Sequence, residues 1–250
     1  MVVKLVFSDA RQWRYLVDTF STLIDEACFI VNSDGIKLRA LDPSRIAMID
    51  FFLPPEAFEE FECSEEATIG VNFDDFKKVM RRGKSKDKLE LEVSEEGRRL
   101  KVRLVGKAIR TFNLALLDLG KEELPLPKVP FTVRAKVLSD AMRDALKDAE
   151  IVSDYVKLEG LEDRLCVKAS SDRGNVEVEF TPDSGSLIEL EVKEPSSASY
   201  SLDYLVDMMK ASVIADILTV EFATNKPLAL TFDLPGGGKL TFFLAPRMEE

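Results

Sequence analysis

The sequence contains no histidine. That absence removes Ser-His-Asp and Cys-His catalysis and every metal site built on imidazole. Carboxylate and lysine chemistry stay open. Cysteine is scarce too: Cys28, Cys63 and Cys166 are odd in number, far apart and without a C-x-x-C spacing. This excludes a disulfide framework or a cysteine zinc site and leaves buried thiols as the reading. No apolar run approaches the ~18 residues a membrane span needs. The start, MVVKLVFSDARQW, reaches Asp9 and Arg11 too soon for a secretory hydrophobic segment. An intracellular protein with no membrane partner is therefore expected. No glycine-rich phosphate loop suggests a nucleotide. Gln12 is the only glutamine, asparagine is scarce and charged residues reach 32%, a composition that leans toward a thermophilic source.

What is present is a chain of 250 residues, 46% hydrophobic. It can bury a sizeable core in one large domain or in two of roughly 120 residues. Self-comparison decides for two. Residues 71–93, VNFDDFKKVMRRGKSKDKLELEV, align without a gap on 200–222, YSLDYLVDMMKASVIADILTVEF, at an offset of 129. Asp74 meets Asp203, Met80 meets Met209, Asp87 meets Asp216, Leu89 meets Leu218 and Glu92 meets Glu221. Asn72 and Ser201 fall in register as N-caps for the helix that follows. Residues 35–51 align on 164–180 at the same offset, each as two alternating strands around a turn.

The expected organisation is a first domain over 1–117, a connector over 118–130 and a second domain over 131–250. The connector, DLGKEELPLPKVP, carries three prolines that disfavour helix. Its leucines, Leu124 and Leu126, either pack back on the body or form part of a docking surface. Each half begins with an amphipathic helix: Trp13, Leu16, Val17, Phe20, Leu23 and Ile24 behind Ser8 or Asp9, then Val137, Leu138, Ala141, Met142, Ala145 and Ala149. A second helix is predicted over 73–82. Short alternating strands are predicted at 47–53, 88–93, 99–105, 109–116, 155–159, 217–223, 228–234 and 239–244. The fold class is α+β, with two helices and roughly eight strands per domain, the helices on one face of antiparallel sheet.

One stretch runs against the overall charge. The chain carries 34 basic and 45 acidic residues, a net charge of -11, yet KKVMRRGKSKDK (77–88) holds seven cations against Asp87 alone. On the predicted helix, Phe73, Phe76, Val79 and Met80 face inward, and Lys77, Lys78, Arg81 and Arg82 face outward in repelling i, i+4 pairs. The helix macrodipole accounts for one or two cations at its C-terminal end, at a few tenths of a kcal/mol each. It does not account for seven, and a polyanion partner does. Nucleic acid is the usual polyanion. The run lacks interleaved aromatics for stacking and any bidentate set for base reading, so phosphate-only, salt-sensitive binding is expected. A charge of -11 opposes tight binding to an open face, so retention has to come from elsewhere. Arg11 and Arg14 lie on the first helix, Lys136, Arg143 and Lys147 near or on the third, and Lys210 closes the fourth, with aspartates 18, 140, 144, 148 and 207 interspersed.

LRALDPSRIAMIDFFLP (38–54), EEATIGVNFDDFKKVMRRGKSKD (65–87), RTFNLALLDLGKEELPLP (110–127), SASYSLDYLVDMMKAS (197–212) and GGGKLTFFLAPRMEE (236–250) resemble the archaeal and eukaryotic sliding clamp family, proliferating cell nuclear antigen. The resemblance runs end to end. It implies a DNA-clamp fold, with three two-domain subunits closing a pseudo-sixfold ring around duplex DNA, helices lining the hole and sheets outside. Encirclement then supplies the retention. The family's lining positions match Arg14, Lys78, Arg81, Lys147 and Lys210; Lys77, Arg82, Lys84 and Arg143 are added from local charge. Tyr15 and Ser21 depart from the pattern, standing where relatives often carry lysine. The resemblance also implies a pocket for short Q-x-x-h-x-x-aromatic-aromatic peptides of DNA polymerase, clamp loader, flap endonuclease and DNA ligase. Its matching positions are Leu41, Ile46, Met48, Leu124, Leu126, Pro227, Phe243, Ala245 and Pro246. Subunits of the family join edge strand to edge strand, here near 107–116 and 174–182, with Thr111 and Val178 in the joint.

The resemblance implies a processivity factor in replication and repair that is not an enzyme, binds no cofactor or metal, and sits in the nucleoid-containing cytoplasm of an archaeon or the nucleus of a eukaryote. Its partners are duplex DNA and identical or paralogous clamp subunits, which leaves a mixed heterotrimer open beside a homotrimer. A rival from another class is a metal-dependent phosphodiesterase using Asp34, Asp42 and Asp50. Those aspartates stand at turns or strand ends where Asp is common, and no D-x-D or E-x-x-H pattern recurs.

Overall fold

Period-two alternation of apolar and polar residues dominates the chain and produces strands almost throughout. The computed structural model describes residues 3–94, 97–120 and 124–248; residues 121–123 of the connector and 249–250 of the C-terminal stretch lie outside them. The first half holds β1 (Val3–Phe7), β2 (Glu26–Asn32), β3 (Gly35–Leu41), β4 (Ala47–Leu53), β5 (Glu60–Cys63), β6 (Ala67–Asn72), β7 (Lys88–Val93), β8 (Arg99–Val105) and β9 (Ile109–Ala115), with helices α1 (Ala10–Phe20) and α2 (Phe73–Met80). The second holds β10 (Val133–Leu138), β11 (Tyr155–Leu161), β12 (Arg164–Ser171), β13 (Gly174–Phe180), β14 (Leu187–Val192), β15 (Ser196–Ser201), β16 (Ile217–Phe222), β17 (Leu228–Leu234) and β18 (Gly238–Leu244), with α3 (Ser139–Glu150) and α4 (Leu202–Met208).

The offset of 129 holds far beyond the two aligned stretches. It carries β2 onto β11, β6 onto β15, β7 onto β16, β8 onto β17 and β9 onto β18, residue for residue at both ends. The chain forms two compact units. One comprises Met1–Pro43, Ile49–Pro125 and Leu234–Leu240; the other comprises Ser44–Met48, Leu126–Asp233 and Thr241–Glu250. In the first, the strands run in the order β5-β1-β7-β8-β9 and β4-β3-β2-β6; in the second, β14-β10-β16-β17-β18 and β13-β12-β11-β15. The ladders resolved within each row are antiparallel.

Each unit buries the apolar stripes of its two helices. In the first, Trp13 and Phe20 of α1 meet Phe29, Phe51, Phe73 and Phe76, with Phe20 and Phe51 centroids 5.2 Å apart and Phe20 and Phe73 5.9 Å apart. Burying each such ring stabilises by about 1.5–3 kcal/mol, with edge-to-face geometry adding to it. In the second, Met142, Ala145, Leu146 and Ala149 of α3 and Leu202, Leu205 and Met208 of α4 are buried with Tyr200, Val220 and Phe222.

The helix boundaries differ from the sequence reading in four places, the first being α1, which ends at Phe20 and leaves Leu23 and Ile24 buried beyond it. Val137 and Leu138 belong to β10, where Val133, Ala135 and Val137 are buried at period two, so helix α3 starts only at Ser139. Helix α2 ends at Met80; Arg81 is its C-cap and Arg82 lies beyond. Lys210 stands in a 3-10 turn, Met209–Val213, that follows α4. Asp9 and Asn72 cap through their side chains, accepting from the amides of Arg11 and Asp75, whereas the Ser201 side chain makes no cap bond. Nor are all three thiols buried: Cys166 is, but Cys28 lies on the outward alternation of β2 and Cys63 ends β5, both half-buried.

Candidate nucleic-acid and partner interfaces

The basic run is held by a turn with its own wiring. After Met80 the chain passes through Gly83, which lies so close to Ala10 and the Met80 carbonyl that an added Cβ would meet both at 3.1 Å. The Ala10 amide donates to the Asp87 carbonyl at 2.9 Å. The Asp87 carboxylate turns inward, where it accepts from the Lys84 amide at 2.9 Å and pairs with Arg110 of β9. Arg110 also donates to the Arg82 carbonyl at 2.7 Å. The one acid of the run thus folds the turn, while Arg81, Arg82, Lys84 and Lys86 remain exposed. This use of Asp87 and Arg110 escapes a reading of the run alone; the lone acid among seven cations is the signal that points to it.

The expected DNA-facing residues differ in how they are held. Arg81 Nε pairs with Asp18 of α1 at 3.0 Å, and Lys78 pairs with Asp75 at 2.9 Å. That carboxylate keeps the Lys78 ammonium protonated to higher pH than an ordinary lysine. Lys77, Arg82 and Lys84 make no ion pair among the described residues. Arg14 is half-buried, its guanidinium 4.8 Å from the centre of the Tyr15 ring. In the second unit Lys147 is exposed on α3, Lys210 pairs with Asp207 at 2.6 Å, and Arg143 reaches Asp144 at 3.2 Å and the Ser212 hydroxyl at 3.4 Å. Exposed pairs of this kind contribute little to stability, so these cations can exchange a carboxylate for a phosphate at small cost.

The expected peptide-site residues occupy both units. In the first, Leu41 ends β3 half-buried and Leu124 is half-buried in the connector. In the second, Ile46 is 40% and Leu126 43% exposed, Pro227, Phe243 and Pro246 are half-buried and Ala245 is exposed. Met48 is only 7% exposed and serves the core. The structure ties Ala245 to Ile46 by an amide-to-carbonyl bond of 2.8 Å. Beyond it, Arg247 donates its amide to the Ser199 carbonyl at 2.7 Å and stacks its guanidinium 3.7 Å above the Tyr155 ring, a contact that sequence reasoning missed.

Thr111 lies on β9 and Val178 on β13. Each strand ends its row, with a ladder partner on one side only among the described residues: β8 for β9 and β12 for β13. Thr111 is exposed and Val178 half-buried. The aspartates of the phosphodiesterase reading are dispersed in role: Asp50 pairs with Arg39 at 2.8 Å, Asp42 is buried, and Asp34 is exposed in a turn closed by Asn32. Among the described residues, the one trio of ligating atoms within 4.8 Å is Cys166, Glu177 and Glu179. Its carboxylates are engaged by Lys168 and Arg164, and burial pushes the Cys166 thiol up.

Family models for the N-terminal and C-terminal domains of proliferating cell nuclear antigen match residues 2–122 and 132–247. The chain is 50% identical over 249 residues to the DNA polymerase sliding clamp of Thermofilum pendens, covering 99% of this chain and all of that one. It is 47% identical to DNA polymerase sliding clamp 1 of Pyrobaculum aerophilum, covering 98% of both. Two solved structures share the fold closely. PCNA from Thermococcus kodakaraensis superposes with a TM-score of 0.93 at 33% identity, over 98% of this chain and all of that one. A chain of the PCNA2–PCNA3 complex from Sulfolobus tokodaii superposes with 0.92 at 32% identity, over the same shares. With both halves matched in order and the α+β clamp architecture repeated in each, the chain belongs to the proliferating cell nuclear antigen family of DNA sliding clamps.

Proposed function

We propose that this sliding clamp closes with two further clamp chains into a ring around duplex DNA and tethers replication and repair proteins without catalysing a reaction itself. The observation that carries this reading is the pair of edge strands, β9 in one unit and β13 in the other. Among the described residues each has a ladder partner on one side only, and an open strand edge is an aggregation hazard that a head-to-tail ring removes. Thr111 and Val178 belong to that joint. The cations Arg14, Lys77, Lys78, Arg81, Arg82, Lys84, Arg143, Lys147 and Lys210 face phosphates. Their contacts stay individually weak because the ring, and not affinity, holds the DNA. This accounts for a basic run in a chain of net charge -11. Ile46, Leu124, Leu126, Phe243 and Pro246 receive the short hydrophobic peptides of polymerase, clamp loader, flap endonuclease and ligase, which bury a few side chains and pair backbone. As a clamp on duplex DNA it works where that DNA lies, in the nucleoid-containing cytoplasm of an archaeon or the nucleus of a eukaryote.

The test is the solution mass by light scattering at micromolar concentration. Three chains of 28.0 kDa give about 84 kDa, the expected result for identical subunits. A mass near that of one chain selects the second reading, in which paralogous chains complete the ring, a reading supported by the similarity to a subunit of a PCNA2–PCNA3 complex.

A further inference from the structure

The described connector residues 124–130 offer little that could hold them in place. Pro125, Pro127 and Pro130 lack amide hydrogens, and residues 124–130 join no strand or helix. A segment of this kind keeps one conformation only if outside groups fix it.

Arg39 supplies such a group. It stands on β3, two residues before Leu41, so the two side chains share a face of the strand. Its Nε donates to Asp50 Oδ1 of β4 at 2.8 Å, and its Nη1 donates to the Leu124 carbonyl, also at 2.8 Å. The carboxylate orients the guanidinium plane, and the remaining N–H edge points at the connector. A planar fork with a fixed charge can hold two acceptors at once in this way; a lysine ammonium on a flexible stem holds them less well. Arg39 and Leu124 are 85 positions apart, so the bond is a tertiary fastening of the connector to the sheet.

We propose that Arg39 is a positioning residue for partner-peptide capture: oriented by Asp50, it latches the connector at Leu124 so that this leucine is presented in one arrangement before a peptide arrives. This rests on the reading of Leu124 and Leu126 as part of the peptide site. The latch lowers the ordering cost of binding and acts on affinity without touching the peptide's side chains.

The test uses the full-length clamp and a synthetic peptide carrying Gln-x-x-Leu-x-x-Phe-Phe, with affinity by calorimetry and Leu124 methyl order parameters by NMR. Arg39→Ala is expected to weaken the peptide about five- to tenfold, the scale of one ordinary hydrogen bond, and to loosen the Leu124 methyls at unchanged solution mass. Arg39→Lys, which keeps the charge but not the fork, is expected to fall between. Affinity within about twofold of the parent overturns the latch, and so does a loss of affinity with the Leu124 methyls as rigid as before. Leu124→Ala with Leu126→Ala separates the two claims. If that pair weakens binding and Arg39→Ala does not, the latch is wrong and the site stands; if the pair binds as the parent does, the site reading has failed.

Discussion

Arg110 of β9 reaches the carboxylate of Asp87, the only acid within the basic run, and fixes the turn that carries that run to the edge strand proposed for subunit contact. The Asp87 side chain is 8% exposed, and its second partner is the Lys84 amide. Gly106 makes room for it: a Cβ there would collide with Asp87 Oδ1.

Removing the cation leaves a buried carboxylate without its counter-charge, a loss that costs about 3–5 kcal/mol in fully buried pairs. With Arg110 partly exposed, Arg110→Ala is expected to cost about 2–3 kcal/mol. Gly106→Ala displaces the same carboxylate and is expected to cost a similar amount. Urea denaturation of the two variants measures both. If the Gly106→Ala protein unfolds at the parent's midpoint, the carboxylate does not hold the turn.

Arg81→Glu combined with Arg82→Glu reverses two exposed charges on the run. Helix α2 keeps its N-cap and buried face, so the fold is expected to persist, with stability changed by less than about 1 kcal/mol. Loading on nicked circular DNA and stimulation of polymerase are expected to fall, most steeply as salt rises. Loading equal to that of the parent would exclude these residues from the DNA-facing surface.

The repeat was legible because its signals are local. Period-two alternation marks β7 at 88–93 and β17 at 228–234, and Asn72 before Phe73 starts α2, all without reference to distant residues. Where two periods overlap, the sequence is ambiguous: Val137 fits the stripe of a helix and the alternation of a strand, and pairing with Leu218 of β16 and Leu187 of β14 decides for the strand. The wiring of the candidate sites was not legible. Arg81 finds Asp18 across 63 residues and Arg39 finds Leu124 across 85, and charge patterns report a cation without its partner. Burial at the peptide site was likewise undecided by sequence, since Met48 and Ile46 are apolar neighbours and only Met48 enters the core.

Leu124→Ala with Leu126→Ala removes two apolar side chains that are half-buried and 43% exposed. Their loss is expected to leave the unfolding free energy measured in urea within about 1 kcal/mol of the parent and the solution mass unchanged. Peptide affinity is expected to drop about tenfold or more, because anchor contacts of this kind carry much of a short peptide's binding energy. Calorimetry with the same synthetic peptide reads the change.

Tyr200 gives the second unit an alkaline limit. Its ring is buried beside α4, and its hydroxyl donates to the Lys226 carbonyl at 2.8 Å. Burial pushes the phenol well above its ordinary value, which is about 10 in an unfolded chain. Below pH 10 both states hold the proton, and the stabilisation from keeping this tyrosine neutral is fully present. Above it the unfolded state releases a proton that the folded state retains, so stability falls with rising pH by about 1.4 kcal/mol per pH unit until the folded group also titrates. Tyr200→Phe removes this dependence and the hydrogen bond together. The variant is expected to be about 1 kcal/mol less stable than the parent at pH 8, and the gap is expected to close and then invert as pH rises beyond about 10.5. Urea midpoints from pH 8 to pH 11 follow the difference between the two proteins, which cancels the titration of the lysines common to both. Parallel curves would mean that Tyr200 ionises as readily folded as unfolded, and that the packing around it admits water.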